Sequence, residues 1–200
     1  MEPKITTFIF DCFGVICDPV LNGWYRENRL KHGFVDENLK NVFEKFDMGE
    51  FSEEDVLQYF LNYKEVNSTR EELRKEIDSF MKLDDSMVDI LKKLKQNGFK
   101  VMLLSNGHSD FYKRKIYPTY PGFQDLFDQI IISSDVKMIK PNSEMYLYAL
   151  EKINSKPEES VFVDDSNTNV KGAEAVGIKG FLFTDSSSFS SYLNSLGINL

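Results

Sequence analysis

The chain has 200 residues, a formal net charge of −8 and 42% hydrophobic residues, which suits one core domain with a small insertion. The negative charge argues against nucleic acid or an anionic membrane as a partner. No apolar run is long enough to span a bilayer and no signal-peptide pattern is visible, so the expected location is cytoplasmic. Cys12 and Cys17, the only cysteines, are expected to be buried free thiols rather than a disulfide scaffold or a zinc site.

The first apolar run, residues 5–10, is rich in β-prone side chains and is predicted to form a strand. It delivers Asp11 to its C-terminal end before Gly14 breaks the run. Ligands of open α/β sheets bind outside the carboxyl ends of the strands, where a carboxylate can serve as a nucleophile or a metal ligand. Asp11 alone proves little, because an Asp at a strand end is more often a turn or cap residue.

The residues that follow are predicted to be helical, because their apolar side chains recur at helical spacing. Gly33 is expected to end the first helix, and a capping box at Ser68–Glu71 is expected to open the last one. The predicted helices cover residues 20–31, 37–46, 52–60 and 68–81. Roughly sixty residues without a strand are too many for a simple connection between strands. We therefore interpret residues 18–82 as an inserted helical cap domain, and residues 1–17 and 83–200 as the core domain.

Beyond the predicted cap, helical and extended patterns alternate along the chain. Helices are predicted over residues 86–96, 109–115, 141–153, 167–176 and 187–196. Strands are predicted over residues 99–104, 129–132, 160–163 and 178–183, and a loop over residues 118–122. This alternation predicts an α/β fold, a three-layer doubly wound parallel sheet of Rossmann-like type into which a small α-helical cap is inserted.

Polar residues follow the ends of four predicted strands. They are Asp11, Ser105-Asn106-Gly107, Ser133-Ser134-Asp135 with Lys140-Pro141 beyond it, and Asp164-Asp165. Because parallel strands end at one edge of the sheet, we expect these groups to converge there. Each segment alone is more typical of a turn, a helix start or a cap. The ordered set, with every member at a strand end, favours a functional site.

The expected cluster has the parts that phosphoryl transfer needs. Asp11, Asp164 and Asp165 would bring three carboxylates together, which is unfavourable unless a cation neutralises them. Mg²⁺ accepts carboxylate ligands together with a substrate phosphate. Ser105 can donate a hydrogen bond to an anion, and Lys140 offers a positive charge to phosphate oxygens. These groups are the parts required for hydrolysis through an aspartyl-phosphate.

In four motifs the chain resembles the haloacid dehalogenase superfamily of hydrolases. The motifs are Asp11-Cys12-Phe13-Gly14-Val15, Ser105-Asn106, Lys140-Pro141, and Asp164-Asp165 through Asn169. The resemblance implies a phosphatase whose nucleophile is Asp11. It also implies that Mg²⁺ is held by Asp11, the Phe13 backbone carbonyl and Asp165, with Asp164 acting beside them or through a water.

The resemblance further implies how substrate is held. Ser105, Asn106 and Lys140 would bind the phosphate, and Ser105 and Lys140 would act in catalysis beside Asp11. The expected partner is a small phosphorylated metabolite such as a sugar phosphate. The expected assembly is a monomer or a weak dimer.

Phe13 is a departure from the pattern of this superfamily. Most of its phosphatases carry a second Asp two residues after the nucleophile, as general acid and base. A phenylalanine cannot protonate a leaving alkoxide, which forfeits a contribution of about 10²–10⁴-fold. Either substrates with good leaving groups are favoured, or another group substitutes. His108 is the nearest candidate in the sequence, although a solvated turn residue is the commoner interpretation.

Phe13 also leaves two other functions open. Metal-free 2-haloacid dehalogenases of the superfamily have an aromatic residue at this position, but they lack paired acids such as Asp164 and Asp165. They also carry an Arg for the halide downstream of the first motif, and no Arg occurs between Lys31 and Ser68. A non-catalytic phosphate-binding module is the second alternative. The metal-dependent phosphatase is preferred to both.

The predicted cap is expected to choose the substrate. The resemblance implies that the loop over residues 46–51 approaches the site, and an ordinary turn is the alternative interpretation. Gly49 would permit the close approach of a substrate. Arg26 is a candidate contact for a substrate anion. Trp24 is expected to lie in the hydrophobic core.

Overall fold

The computed structural model describes residues 4–29, 37–63 and 66–200. These residues contain a five-stranded sheet of order β3-β2-β1-β4-β5 in which every pairing is parallel. The strands are β1 Thr7–Phe10, β2 Lys100–Ser105, β3 Gln129–Ile132, β4 Ser160–Asp164 and β5 Lys179–Leu182. The predicted doubly wound parallel sheet is confirmed, and the strand ends differ from their predicted positions by at most two residues.

In the described part of the region predicted to form the cap, the chain forms four helices. They are α1 Val20–Asn28, α2 Leu39–Asp47, α3 Glu53–Leu61 and α4 Arg70–Asp78, and we call them the cap helices. The predicted end of the first helix near Gly33 lies outside the described residues. The division into a cap domain and a core domain stays a prediction.

The remaining helices alternate with the strands. They are α5 Asp85–Gln96, α6 Ser109–Phe111, α7 Tyr117–Thr119, α8 Ser133–Val136, α9 Ser143–Ile153, α10 Asn167–Ala175 and α11 Ser186–Ser195. In the part of the chain that the structure describes, none of the helices is both long enough and apolar enough to cross a membrane.

Side chains along the strands alternate between two hydrophobic cores. Phe8 and Phe10 of β1 are fully buried on one face of the sheet, where Phe189 of α11 packs edge-on against both rings. Ile9 is fully buried on the other face, in a cluster with Met145 of α9. Helices therefore cover both faces. This burial explains why the strands read as continuous apolar runs.

Capping residues fix where two cap helices begin. The Ser52 hydroxyl accepts a hydrogen bond from the amide of Asp55, whose carboxylate accepts one from the amide of Ser52. Thr69 and Glu72 make the same reciprocal pair at the start of α4. The predicted capping box that began at Ser68 is wrong by one residue, because the hydroxyl of Thr69 reaches the orphan amide.

The loop predicted over residues 118–122 begins two residues later than expected. After α6 the backbone continues through a π-helix, Tyr112–Ile116, into α7, so Pro118 lies in a helical turn. A proline is tolerated there because the first turn of a helix needs no amide donor from it. The complete burial of Tyr112 and Ile116 holds this segment against the core.

Polar contacts fasten the cap helices to the core. Arg114 of the π-helix makes ion pairs of 2.8 Å with Glu53 of α3 and 2.6 Å with Asp78 of α4. Lys137, just after α8, donates to the carbonyl oxygens of Met48 and Gly49 at 2.8 Å and 3.1 Å. The core therefore holds α3 and α4 through Arg114 and the end of α2 through Lys137.

Gly49 is needed at the contact between α2 and the core. Its φ of +65° lies in the left-handed region, and a Cβ there would come within 3.0 Å of the Ser134 carbonyl oxygen. The sequence predicted that this glycine permits the close approach of a substrate. In the structure the group that approaches it closely is α8 with the adjacent Lys137.

Replacing Arg114 by alanine removes both ion pairs between the π-helix and the cap helices. We expect the variant to lose about 1 kcal/mol of stability, because such partly exposed pairs contribute modestly. The corresponding fall in Tm is about 2–4 °C, measured by thermal unfolding. Lys75→Ala is the control, since Lys75 pairs with Glu71 within α4 alone, and its Tm should not change. Equal Tm values for Arg114→Ala and the unsubstituted chain would contradict the role of this contact.

Candidate active site

Lys140 lies at the centre of the carboxyl-terminal edge of the sheet. Its ammonium donates to the Asp11 carboxylate at 2.7 Å and to the Asp164 carboxylate at 2.8 Å. Asp11 follows β1 and Asp164 ends β4, two strands that pair in parallel, so the fold brings the two acids side by side. The Lys140 side chain is fully buried. The convergence predicted from the sequence is therefore present for these three residues.

The charged groups in this cluster shift one another's pKa values. Burial opposes the ammonium form of Lys140, but the carboxylates of Asp11 and Asp164 outweigh it and raise the pKa of Lys140 above its ordinary value. Burial raises the pKa of Asp11 to about 7, while the ammonium of Lys140 acts against the rise and Asp164 adds to it. A second positive charge beside Asp11 would favour its ionised form further.

Asp164 is fully buried and held from several sides. The amide of Ser166 donates to it at 2.8 Å, and the side-chain amide of Asn169 donates to both of its oxygens at 3.1 Å and 3.2 Å. Together with the hydrogen bond from Lys140, these bonds fix the position of the Asp164 carboxylate. The fixed carboxylate in turn orients the ammonium of Lys140. Asn169 was part of a motif in the sequence, but this orienting contact was not predicted.

The third carboxylate, Asp165, is exposed and lines the adjoining cleft. Burial and the neighbouring Asp164 raise its pKa. Gly14 lies directly beneath it with a φ of +95°, and a Cβ at this position would overlap the Asp165 carboxylate. Any residue other than glycine would displace this acid, which is a physical reason for the break in the first apolar run.

The three acids fit a divalent cation. One oxygen from each of Asp11, Asp164 and Asp165 lies within 4.8 Å of the others, and the ammonium of Lys140 balances only one of the three charges. Carboxylate oxygens are the ligands that Mg²⁺ prefers, and Mg²⁺ sites typically use one or two of them. The donor set therefore suits magnesium, with the solvent-facing Asp165 on the open side.

Two residues predicted to bind phosphate have other partners in the structure. The side chain of Asn106 accepts from the amide of Lys140 at 2.9 Å and donates to the Lys140 carbonyl at 2.9 Å. It thus fixes the backbone of the lysine, although it also lines the cleft. The hydroxyl of Ser105 is fully buried and donates to the Asn106 carbonyl at 3.2 Å. Phosphate binding by Ser105 and Asn106 stays a prediction.

A cleft of about 820 Å³ opens between the acid cluster and the cap helices. Asp11, Lys140 and Asp165 line its floor, and Arg26 of α1 is among the cap residues that line it. This volume is within the range of small-molecule sites. Trp24 is fully buried, as predicted.

Aromatic rings form one wall of the cleft. The Phe13 ring packs against Phe111 and Tyr112 with centroid separations of 6.0 Å and 5.8 Å. His108 stacks on Phe46 of α2 at 5.0 Å, and its Nδ1 accepts a hydrogen bond from the amide of Asp110. Phe13 therefore brings an apolar ring to the position where the sequence lacks a second acid.

The two cysteines behave as predicted. Cys12 and Cys17 are buried free thiols whose sulfur atoms are 3.5 Å apart. The hydrogen bond with Cys12, together with burial, raises the pKa of the Cys17 thiol.

Asp47, at the C-terminal end of α2, lines the same cleft and was not singled out from the sequence. Its backbone carbonyl accepts a hydrogen bond of 2.6 Å from the hydroxyl of Ser133, the first residue of α8. The hydroxyl oxygen of Ser133 also accepts a hydrogen bond of 2.9 Å from the amide of Gly107. The signal available in the sequence was only that Asp47 belongs to the loop expected to approach the site.

The chain belongs to the haloacid dehalogenase-like hydrolases, because the model of that family matches residues 5–177. This range contains the cap helices and all four strand-end motifs. The predicted family and the predicted hydrolase class are confirmed.

Curated relatives of this chain act on phosphate compounds by name. Pyrophosphatase PpaX of Bacillus cereus is 24% identical over 191 residues, which cover 88% of this chain and 82% of PpaX. Sesquiterpene phosphatase astK of Aspergillus oryzae is 37% identical over 105 residues, which cover 52% of this chain and 52% of astK. The second match therefore spans about half of that relative's length.

Solved structures share the fold over nearly the whole chain. The HAD family enzyme BT-2542 from Bacteroides thetaiotaomicron has a TM-score of 0.77 at 22% identity, covering 95% of this chain and 98% of BT-2542. A HAD-like family hydrolase from Porphyromonas gingivalis has a TM-score of 0.75 at 19% identity, covering 98% of this chain and 100% of the other. BT-2542 has also been solved with magnesium and with magnesium and inorganic phosphate.

Replacing Lys140 by alanine leaves Asp11 and Asp164 as buried like charges. We expect a loss of about 3–5 kcal/mol at pH 8, the cost of breaking a buried ion pair. Protonation removes the stranded charges, so the deficit should shrink as the pH falls to 5. Urea unfolding with EDTA present measures both values.

Lys156→Ala is the matched control, because the Lys156 side chain is 69% exposed and its loss should cost nothing measurable. A deficit for Lys140→Ala that is the same at pH 5 and pH 8 would contradict the charge argument.

Proposed function

We propose that the protein is a Mg²⁺-dependent phosphatase that hydrolyses a small phosphorylated metabolite, such as a sugar phosphate, through an aspartyl-phosphate on Asp11. The observation that carries the proposal is the cluster in which Lys140 bridges Asp11 and Asp164 while Asp165 faces the cleft. The names of the relatives PpaX and astK and the magnesium and phosphate bound to BT-2542 agree with it.

Each residue of the cluster has a distinct task in the proposed reaction. A carboxylate oxygen of Asp11 attacks phosphorus, the leaving group departs, and water then hydrolyses the acyl phosphate. Lys140 orients Asp11 and attracts phosphate oxygens, as a buried ammonium does most strongly where water is excluded. Asn106 and Asp164 keep Lys140 in position through its backbone and its ammonium.

The proposed ligands of the cation are Asp11, Asp165 and the Phe13 backbone carbonyl, with Asp164 beside them or acting through a water. When bound, a magnesium ion would offset the negative charge shared by the carboxylates and the phosphate. Gly14 serves this arrangement by leaving space for the Asp165 carboxylate.

The cleft supports a substrate of metabolite size. Its floor supplies the phosphate-binding charge, and its roof is formed by side chains of the cap helices, among them Arg26. Arg26 also acts to lower the pKa of Asp165, against the net rise, so its positive charge reaches the floor of the cleft. We propose that Arg26 contacts an anionic or hydroxyl group of the substrate.

Phe13 is the observation that favours a second candidate, a metal-free 2-haloacid dehalogenase, since it presents an aromatic ring where the phosphatases of this superfamily place an acid. Against it stand the paired acids Asp164 and Asp165, which such a reaction does not need. Halide release from 2-chloropropionate in the presence of EDTA would establish the dehalogenase and displace the phosphatase.

Hydrolysis of p-nitrophenyl phosphate tests the proposal directly. We expect turnover with Mg²⁺, loss of turnover with EDTA, and a fall of at least about 10³-fold in kcat/KM for Asp11→Asn, because the nucleophile is removed. Asp89→Asn, at an exposed position of α5, is the control and should keep full activity.

Turnover that is insensitive to EDTA and to Asp11→Asn would contradict the proposal. Phosphate binding in a calorimeter without turnover on any phosphate ester would instead indicate a non-catalytic phosphate-binding module.

A further inference from the structure

The reaction proposed above needs a proton donor that the first motif does not provide. A leaving alkoxide requires protonation, and the resulting acyl phosphate requires a base that activates water. Phe13 can do neither. The cleft, however, is also lined by acids that come from the cap helices and not from the sheet edge. Glu53 and Asp78 are paired with Arg114, and the third is Asp47.

Asp47 is held at the cleft by a set of contacts on both sides of it. Its carbonyl accepts the 2.6 Å hydrogen bond from Ser133, and the two carbonyls that follow, of Met48 and Gly49, accept from Lys137. The preceding residue, Phe46, stacks on His108. These contacts place the end of α2 against the same sheet edge that carries Asp11.

The charges around Asp47 suit a group that exchanges a proton near neutral pH. Burial raises its pKa to about 7, Lys140 acts against the rise, and Glu44 on its own helix adds to it. The helix α2 itself also carries Lys40 and Lys45, and α8, which packs against it, carries Asp135. Lys137 is directed at the carbonyls of Met48 and Gly49, and His108 is stacked on Phe46.

We propose that Asp47 is the general acid and general base of this phosphatase, supplied by the cap in place of the acid missing at Phe13. The inference rests on the proposed phosphatase function. It makes the contact of α2 with the sheet edge a condition for catalysis, since that contact holds Asp47 at the cleft.

The proton and electron pairs balance over the two steps. In the first, a lone pair of Asp11 forms the bond to phosphorus, the bond from phosphorus to the leaving oxygen breaks, and that oxygen takes the proton of the Asp47 carboxyl. In the second, the Asp47 carboxylate accepts a proton from water, whose oxygen bonds to phosphorus while the bond to Asp11 breaks. Asp11 and protonated Asp47 are regenerated, and inorganic phosphate is released.

The dependence of rate on the leaving group distinguishes this role from a structural one. The test compares kcat/KM on p-nitrophenyl phosphate, phenyl phosphate and p-methoxyphenyl phosphate, a series of increasingly poor leaving groups. For Asp47→Asn we expect a fall of about 10²–10⁴-fold on the poorest leaving group, the usual contribution of general acid catalysis. On p-nitrophenyl phosphate, which needs least protonation, the fall should be far smaller.

A pH profile gives a second readout. With phenyl phosphate, kcat/KM of the unsubstituted enzyme should decline above pH about 7 as Asp47 loses its proton. Asp47→Asn should lack this decline. Glu44→Gln is the matched control on the same helix. It should retain the leaving-group dependence and the decline, and the decline should begin at a slightly lower pH because Glu44 adds to the rise of the Asp47 pKa.

Asp11→Asn should abolish turnover on the whole series, which separates failure of the phosphatase from failure of the role of Asp47. An equal fall on every leaving group would reduce Asp47 to a substrate contact and overturn the proposal. A leaving-group-dependent fall in His108→Asn but not in Asp47→Asn would assign the acid to His108 and overturn it as well. Unaltered rates in Asp47→Asn would do the same.

Discussion

One buried ammonium, that of Lys140, makes the acid cluster of this protein possible. Asp11 and Asp164 approach each other because β1 and β4 pair in parallel, and without a positive charge between them two buried carboxylates would repel. Lys140 bonds to both within 2.8 Å and is itself fixed through its backbone by Asn106. The site is therefore part of the folded core. Its charge balance still leaves room for a divalent cation and for a phosphate.

The fold divides the work between two parts of the chain. The parallel sheet supplies Asp11, the proposed nucleophile, together with the lysine and the other acids from the ends of separate strands, as open α/β sheets do. The cap helices supply the roof of the cleft and, through α2, the acid Asp47 that lines it. Contacts of Ser133, Lys137 and Arg114 join the two parts. We propose that the cap governs substrate choice and proton transfer, and that the sheet binds the phosphate.

Patterns of short range in the sequence predicted much of this arrangement. The strands, the main helices and the convergence of Asp11, Lys140 and Asp164 follow from periodicity and from the shared edge of a parallel sheet. Hydrogen bonds that join distant segments did not follow from it. The hydroxyl of Ser133 reaches the carbonyl of Asp47 across 86 positions of sequence, and no local pattern marks such a pair. The sequence likewise suggested that the Ser105 hydroxyl is free to donate to an anion. Its burial arises only when distant segments pack together.

A crystal structure with Mg²⁺ and beryllofluoride, a mimic of the phosphoryl group, tests the central claim most directly. We expect the beryllofluoride to be bonded to a carboxylate oxygen of Asp11, the ammonium of Lys140 to contact a fluorine, and Mg²⁺ to contact Asp11 and Asp165. Beryllofluoride and Mg²⁺ bound elsewhere, with the carboxylates of Asp11 and Asp165 contacting neither, would contradict the proposed site.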